Sequence, residues 1–339
     1  MRQDSYRQTN MELCRIIAML LVVTVHSGFA SFGNASKFDG SYWGIITMQS
    51  FAIVGVNLFV LITGYFSVSF KLRSIAKLVW ACFFYALIAL VVNLLLGRSV
   101  VLKNAFWVSN SIWYIGTYIG LLCFSPILNA CIEKMDKTQH GILIIVLLIF
   151  QTWYEYIPRL IHDFHSGYSI LSFMILYLIA RYVRLYDFPS FIKKYDIWIY
   201  IVCSLCIAAC MTSSVVFRVY PQWAASLLFK YNRPLVILSS LGLFAFFALR
   251  EMRYNKVVNY IALSCIGVLL LHTSPFFHEY VAGLFRNLFV SYSGVILVVI
   301  WMGVISSEFA IAVLVDQVRI FIERKWLNKL FSHITFEIG

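Results

Sequence analysis

The chain has 339 residues, of which 61% are hydrophobic and only 12% charged, with a mean hydropathy of +0.84. A soluble domain carries about 25% charged residues, so this composition excludes a soluble globular protein, and no polar stretch is long enough to form a separate soluble domain. The net charge of +12 is spread over short segments between apolar runs, the pattern of loops facing anionic lipid, and no nucleic-acid-binding motif accompanies it.

A spanning helix needs about 20 mainly apolar residues. Such runs occupy residues 13–31, 45–66, 75–96, 112–132, 141–157, 168–184, 197–216, 234–250, 257–274 and 294–315. They predict an all-α, polytopic integral membrane protein with about ten transmembrane helices in one domain over residues 1–339. The first run resembles a signal peptide in length, but Glu12 and Arg15 interrupt its start and His26 lies inside it, so it reads as a retained helix. Pro126 and Pro275 are expected to kink or end helices. With the N-terminus in the cytoplasm, most Lys and Arg fall in the inside segments, which places both termini there. Residues 316–339 mix apolar Ile320, Phe321, Trp326 and Leu330 with Arg319, Arg324, Lys325 and Lys329, the pattern of a cytoplasmic amphipathic tail on the membrane surface. All eight cysteines fall in or beside apolar runs. Cys203, Cys206 and Cys210 share a helical face, but no acid or His accompanies them, so they read as packing residues and no metal is expected.

Ionisable groups inside membrane helices are costly and mark functional sites. The first run holds three of them. Glu12 lies one turn before Arg15, and ten residues separate Arg15 from His26. Eleven helical steps return to the same face, about 16 Å along the axis. One stripe thus carries an acid, a base and an imidazole. Imidazole is the side chain whose ordinary pKa suits proton transfer near neutrality, so His26 reads as a general base or acyl carrier, against a merely hydrogen-bonded polar residue. His272, near the end of the ninth run, is read either as a sugar-binding or proton-transferring residue or as a structural one. Trp113 and Tyr114, with Trp43, sit at helix ends where they either stack on a sugar or anchor the interface. His162 and His165 flank Asp163 in a loop, which falls short of a metal site.

The segment Met11-Glu12-Leu13-Cys14-Arg15-Ile16-Ile17-Ala18 through His26, with its Arg–ten residues–His spacing, resembles the first helix of the acyltransferase-3 membrane family, which O-acylates cell-surface sugars. Gly55-Val56-Asn57-Leu58-Phe59-Val60-Leu61-Ile62-Thr63-Gly64-Tyr65 is similar to its second-helix motif, and Trp113-Tyr114-Ile115-Gly116 to its fourth-helix start. Tyr231-Asn232-Arg233-Pro234 and Ile266-Gly267-Val268-Leu269-Leu270-Leu271-His272 resemble its later blocks. The chain departs from the family at Asn57, where Asp is usual. The family's paired arginines after the second helix are matched only by a basic cluster, Lys71, Arg73 and Lys77.

The resemblance implies a membrane O-acyltransferase in a bacterial cytoplasmic membrane. It would move an acyl group, most often acetyl, from acyl-coenzyme A to a hydroxyl of a surface or lipid-linked glycan. It implies that His26 is base or carrier, that Arg15, oriented by Glu12, binds or polarises the donor, and that Lys71, Arg73 and Lys77 hold the phosphates of acetyl-CoA. The competing class is a transporter or lipid-linked glycan flippase, for which internal inverted repeats and matched broken helices would be expected; neither is visible here.

Overall fold

The computed structural model describes residues 8–32, 40–97, 112–156, 164–216, 228–333 and 336–338. These residues are nearly all helical. The principal helices are α1 (Thr9–Phe32), α2 (Gly40–Ala52), α3 (Gly55–Tyr65), α4 (Leu72–Leu95), α5 (Ile112–Glu133), α6 (Lys137–Tyr156) and α7 (Ile170–Tyr186). They continue as α8 (Ser190–Val216), α9 (Pro234–Ala248), α10 (Lys256–Ile261), α11 (Cys265–His272), α12 (Pro275–Ser291), α13 (Gly294–Ile322) and α14 (Asn328–Ser332). The one two-stranded pairing joins β1 (Phe70–Lys71) to β2 (Glu337–Ile338), antiparallel, among the described residues.

Among the described residues each of the ten apolar runs overlaps helix, though 45–66 breaks at Ile53–Val54 and 257–274 divides into two short helices. Among the described residues six stretches are long and apolar enough to cross a membrane: Thr9–Ser27, Gly44–Tyr65, Leu72–Leu95, Trp113–Glu133, Ser190–Ser213 and Gly294–Leu330. Pro126 sits inside α5, whereas Pro275 opens α12 at a first-turn position, where its missing N–H costs nothing. The helix α12 was not expected, because its charged residues hide its apolar positions from a hydropathy reading. Local chemistry sets other boundaries. Asp136 and Gln139 exchange backbone bonds, Gln139 N–H to Asp136 Oδ1 at 2.8 Å and Asp136 N–H to Gln139 Oε1 at 3.1 Å, a capping box for α6. Asn255 caps α10 by accepting from the N–H groups of Val257 and Val258.

The chain forms two compact units. The first comprises Met1–Val25, Tyr42–Val68 and Ile127–Ala262. In it α3 packs on α7 and α9, and α9 lies along α8. The α3–α7 crossing needs Gly64, because a Cβ there would meet the Cβ of Ala180 at 2.7 Å and the carbonyl of Tyr177 at 2.8 Å. Asn57 is fully buried and donates to the Tyr231 carbonyl (2.9 Å) and to Ser240 Oγ (3.2 Å). Its amide thus meets a backbone acceptor with a donor that an aspartate lacks.

The second unit comprises His26–Ser41, Ser69–Pro126 and Leu263–Gly339. There α11 packs against both α4 and α13. Helix α13 buries one face, Trp301, Ile305, Glu308, Ala312, Asp316 and Arg319, at helical spacing. Its other face leaves Val295, Val299 and Leu314 open, as α4 leaves Val79, Phe83, Leu87 and Val91. Such exposed apolar stripes suit a lipid environment. The segment expected to be a separate tail begins inside α13. Asp316 and Arg319 pair one turn apart, neutralise each other, and let the helix run on to Ile322. A π-helical stretch, Glu323–Leu327, and α14 follow before β2 returns to β1.

Candidate functional site

In the second unit α11 ends at His272, and antiparallel packing on α13 brings its ring to Glu308. His272 Nδ1 is paired with Glu308 Oε1, and the two side chains are 1% and 3% exposed. The other ring nitrogen, His272 Nε2, lies 3.0 Å from His26 Nδ1. The two imidazoles are parallel to within 4°, with centroids 5.1 Å apart. Next to His26, Ser27 Oγ accepts from the indole N–H of fully buried Trp301, at 2.8 Å, which pins this turn of α1 to α13.

The chain of contacts is satisfied by one set of neutral tautomers. With Glu308 as a carboxylate, His272 carries its proton on Nδ1 and presents the Nε2 lone pair. His26 then donates from Nδ1, which leaves the lone pair of its own ring on Nε2. A proton arriving at that Nε2 turns His26 into an imidazolium hydrogen-bonded to His272, with the Glu308 carboxylate behind. The second oxygen of Glu308, Oε2, is buried without a hydrogen-bond partner among the described residues.

Glu12 and Arg15 belong to the first unit. Glu12 is buried, and Arg15 Nη1 donates to its Oε1 at 2.7 Å. Lys71 is exposed on β1 and Arg73 half-buried in the first turn of α4. Lys77 donates to Glu323 Oε1 at 2.6 Å and to Asn328 Oδ1 at 3.4 Å. Trp113 and Tyr114 open α5 with their rings edge to face at 5.9 Å, and Tyr114 stacks on Tyr118. The structure thus joins His26 to His272 and gives Lys77 a carboxylate partner. His162 lies outside the described residues, as do the side chains of His165 and Trp43. Among the described residues no three His, Cys, Asp or Glu side chains are grouped as metal ligands.

Glu308 is the residue that sequence reasoning missed. An acid in the middle of the apolar run 294–315 is itself the signal, since such a group is expensive unless paired. Asp316, Tyr85 and Trp301 carried no such signal, because each is defined by a contact with a helix distant in sequence.

A multi-pass helical membrane protein holding a buried imidazole–carboxylate chain is thereby defined. Its family follows from comparison: the acyltransferase-3 family, described as an acyltransferase domain, matches residues 8–315. The chain belongs to that family and is a membrane acyltransferase. No curated protein and no solved structure matches it.

Proposed function

We propose that this acyltransferase moves an acetyl group from acetyl-CoA, taken from the cytoplasm, to a hydroxyl of a cell-surface or exported glycan in a bacterial cytoplasmic membrane. Ten spanning helices with both termini inside are part of this reading. The observation that supports it is the Glu308–His272–His26 chain within a member of an acyltransferase family. In the direct form of the reaction, His26 Nε2 removes the proton of the acceptor hydroxyl as its oxygen attacks the thioester carbonyl. The C–S bond breaks, and the imidazolium returns the proton to the departing thiolate. His272 and Glu308 hold the His26 tautomer and stabilise its charged form, which makes them positioning residues. General-base assistance of this kind is worth about 10²–10⁴ in rate.

Arg15, steadied by Glu12, binds or polarises the donor. Lys71 and Arg73 stand at the N-terminal turn of α4, where backbone N–H groups and cations together suit phosphate. Trp113 and Tyr114 supply rings for the acceptor sugar.

The test compares surface glycans by mass spectrometry from cells with the intact protein and with His26→Ala at matched protein levels. An acetyl modification present with the first and lost with the second supports the reading. An unchanged modification removes His26 from the mechanism. Loss of glycan export without any change in acylation would favour a flippase.

A further inference from the structure

The ion pair that occupies Lys77 belongs to a longer array. Asp316 Oδ1 accepts from Tyr85 Oη at 2.8 Å and from Arg319 Nε at 2.6 Å, and Asp316 Oδ2 accepts from Arg319 Nη2 at 3.0 Å. Arg319 Nη1 reaches Glu323 Oε2 at 2.9 Å, and Glu323 Oε1 accepts from Lys77. Two carboxylates and two cations alternate, Asp316, Arg319 and Glu323 on α13 and its extension and Lys77 across from them on α4. Their side-chain exposures grade outward: Asp316 0%, Arg319 6%, Glu323 13%, Lys77 36%.

The gradient decides which member can leave. Breaking a buried pair strands a charge and costs several kcal/mol. If Lys77 swings away, however, Glu323 keeps Arg319, and Arg319 keeps both carboxylates. Lys77 alone can be released without stranding a buried charge. One turn before it on the same face of α4 stands Arg73, half-buried, with no ion-pair partner among the described residues. Two cations one turn apart repel each other, and Glu323 offsets only one of them. The tail is also fastened at this point. Leu72 N–H donates to the Phe336 carbonyl at 3.1 Å, β2 pairs with β1, and Glu323 opens the π-helical stretch. Such widened turns recur at functional sites.

We propose that Glu323 is a resting counter-ion which the acyl donor's phosphate displaces from Lys77, so that Lys77, Arg73 and Glu323 together set the preference for a phosphorylated acyl thioester. The proposal rests on acetyl-CoA being the donor. An arriving phosphate bridges Arg73 and Lys77, and Glu323 remains with Arg319. Glu323 thereby competes with the donor's phosphate for Lys77 and tempers the preference that Lys77 and Arg73 create, whereas a donor that carries the thioester but lacks phosphate leaves the Lys77–Glu323 pair in place.

The experiment uses the full-length protein in lipid nanodiscs. Initial rates of thiol release are compared for acetyl-CoA and S-acetylpantetheine, which shares the thioester but carries no phosphate. Glu323→Gln should raise the selectivity for acetyl-CoA about threefold, mainly through KM, the size of a partly exposed charge pair. Lys77→Met should lower that selectivity about tenfold, as expected for one charge-assisted hydrogen bond to phosphate. The double variant should behave like Lys77→Met, because Glu323 acts only through Lys77. Unchanged selectivity in Glu323→Gln, or a gain that survives in the double variant, overturns the proposal. Calorimetric binding of adenosine 3′,5′-bisphosphate, the phosphate pattern without the thioester, separates this from the donor assignment. Tighter binding by Glu323→Gln and weaker binding by Lys77→Met support the anion site even where neither thioester is consumed. Equal binding by all three proteins sinks it.

Discussion

Replacing Glu308 with glutamine exchanges one carboxylate oxygen for an amide nitrogen and leaves the side-chain volume almost unchanged. The change has two consequences at His272. The charge that, in the proposed reaction, stabilises an imidazolium on His26 disappears. The amide also donates as well as accepts, so its N–H can face His272 Nδ1 and drive the ring proton to Nε2. His272 would then donate to His26 Nδ1, and the His26 proton would sit on Nε2, the nitrogen needed as base. Losing a hydrogen bond to a charged partner costs about 1.5–3 kcal/mol, or roughly ten- to 150-fold in rate at about 1.4 kcal/mol per decade. A carboxylate-to-amide change that inverts a catalytic tautomer costs about 10⁴ in kcat in a serine protease triad. The expected fall in kcat for Glu308→Gln therefore lies between about tenfold and about 10⁴-fold, with KM for acetyl-CoA nearly constant, because Glu308 is buried behind His272. The assay is thiol release from acetyl-CoA by the purified protein, supplied with glycan extracted from the producing cells. Glu308→Asp, which retains the charge, should lose less. The neutral amide is easier to bury than a carboxylate, so the melting temperature should not fall. Retention of more than half of kcat by Glu308→Gln, or a loss confined to KM, would refute the relay.

Three further outcomes follow from the same contacts. Gly267→Ala puts a Cβ against the Asp316 carboxylate and 2.5 Å from the Tyr85 hydroxyl, which should destabilise by about 1–3 kcal/mol and, with His272 five residues further on, lower activity; thermal unfolding and thiol release read the two effects. Asp316→Ala removes two of the Arg319 hydrogen bonds and the acceptor of Tyr85 in a buried setting, an expected loss of about 3–5 kcal/mol, visible as failure to recover a monodisperse protein. Asp187, between α7 and α8, is held below the usual carboxylate range, first by its hydrogen bond from Lys193 and then by the Phe188 N–H. A depressed folded value means that its contribution is present at neutral pH and disappears as pH falls through the carboxylate range. Asp187 is 61% exposed, so Asp187→Asn should lower the melting temperature by only about 1–2 °C at pH 7 and not at all in strong acid.

The helices were legible because lipid imposes length and apolarity on each spanning segment separately, so a run such as 75–96 announces α4 without reference to its neighbours. Glu12 and Arg15 were legible for a related reason: a one-turn spacing on one helix is a contact prediction in itself, and the pair is made. His26 stood out as an imidazole in an apolar run. Its partner could not be read, because His272 is 246 residues away in sequence, and no periodicity on one helix reports the register of another. The same limit hid the pairing of Glu308 with His272, 36 residues away, and it made Lys77 look like an open cation when Glu323 holds it. Helix α12 escaped for the opposite reason, since the charges of its polar face read as a connection.

The acids on the buried face of α13 show why burial alone does not identify a reactive group. Asp316 and Glu308 are both almost fully buried in one apolar helix, two turns and a fraction apart. Asp316 is saturated: it accepts two bonds from Arg319 and one from Tyr85, and a neighbouring guanidinium compensates its charge in place. Both of its oxygens are committed, so it serves to fasten α13 to α4, with α11 passing close by at Gly267. Glu308 has one partner, an imidazole whose charge can change, and an oxygen without a bond among the described residues. The pair therefore stands at the end of a chain of contacts that leads through His272 to His26, with one carboxylate oxygen still uncommitted. This difference in how completely the two carboxylates are satisfied, rather than their depth, is why the proposed relay ends on Glu308 and not on Asp316.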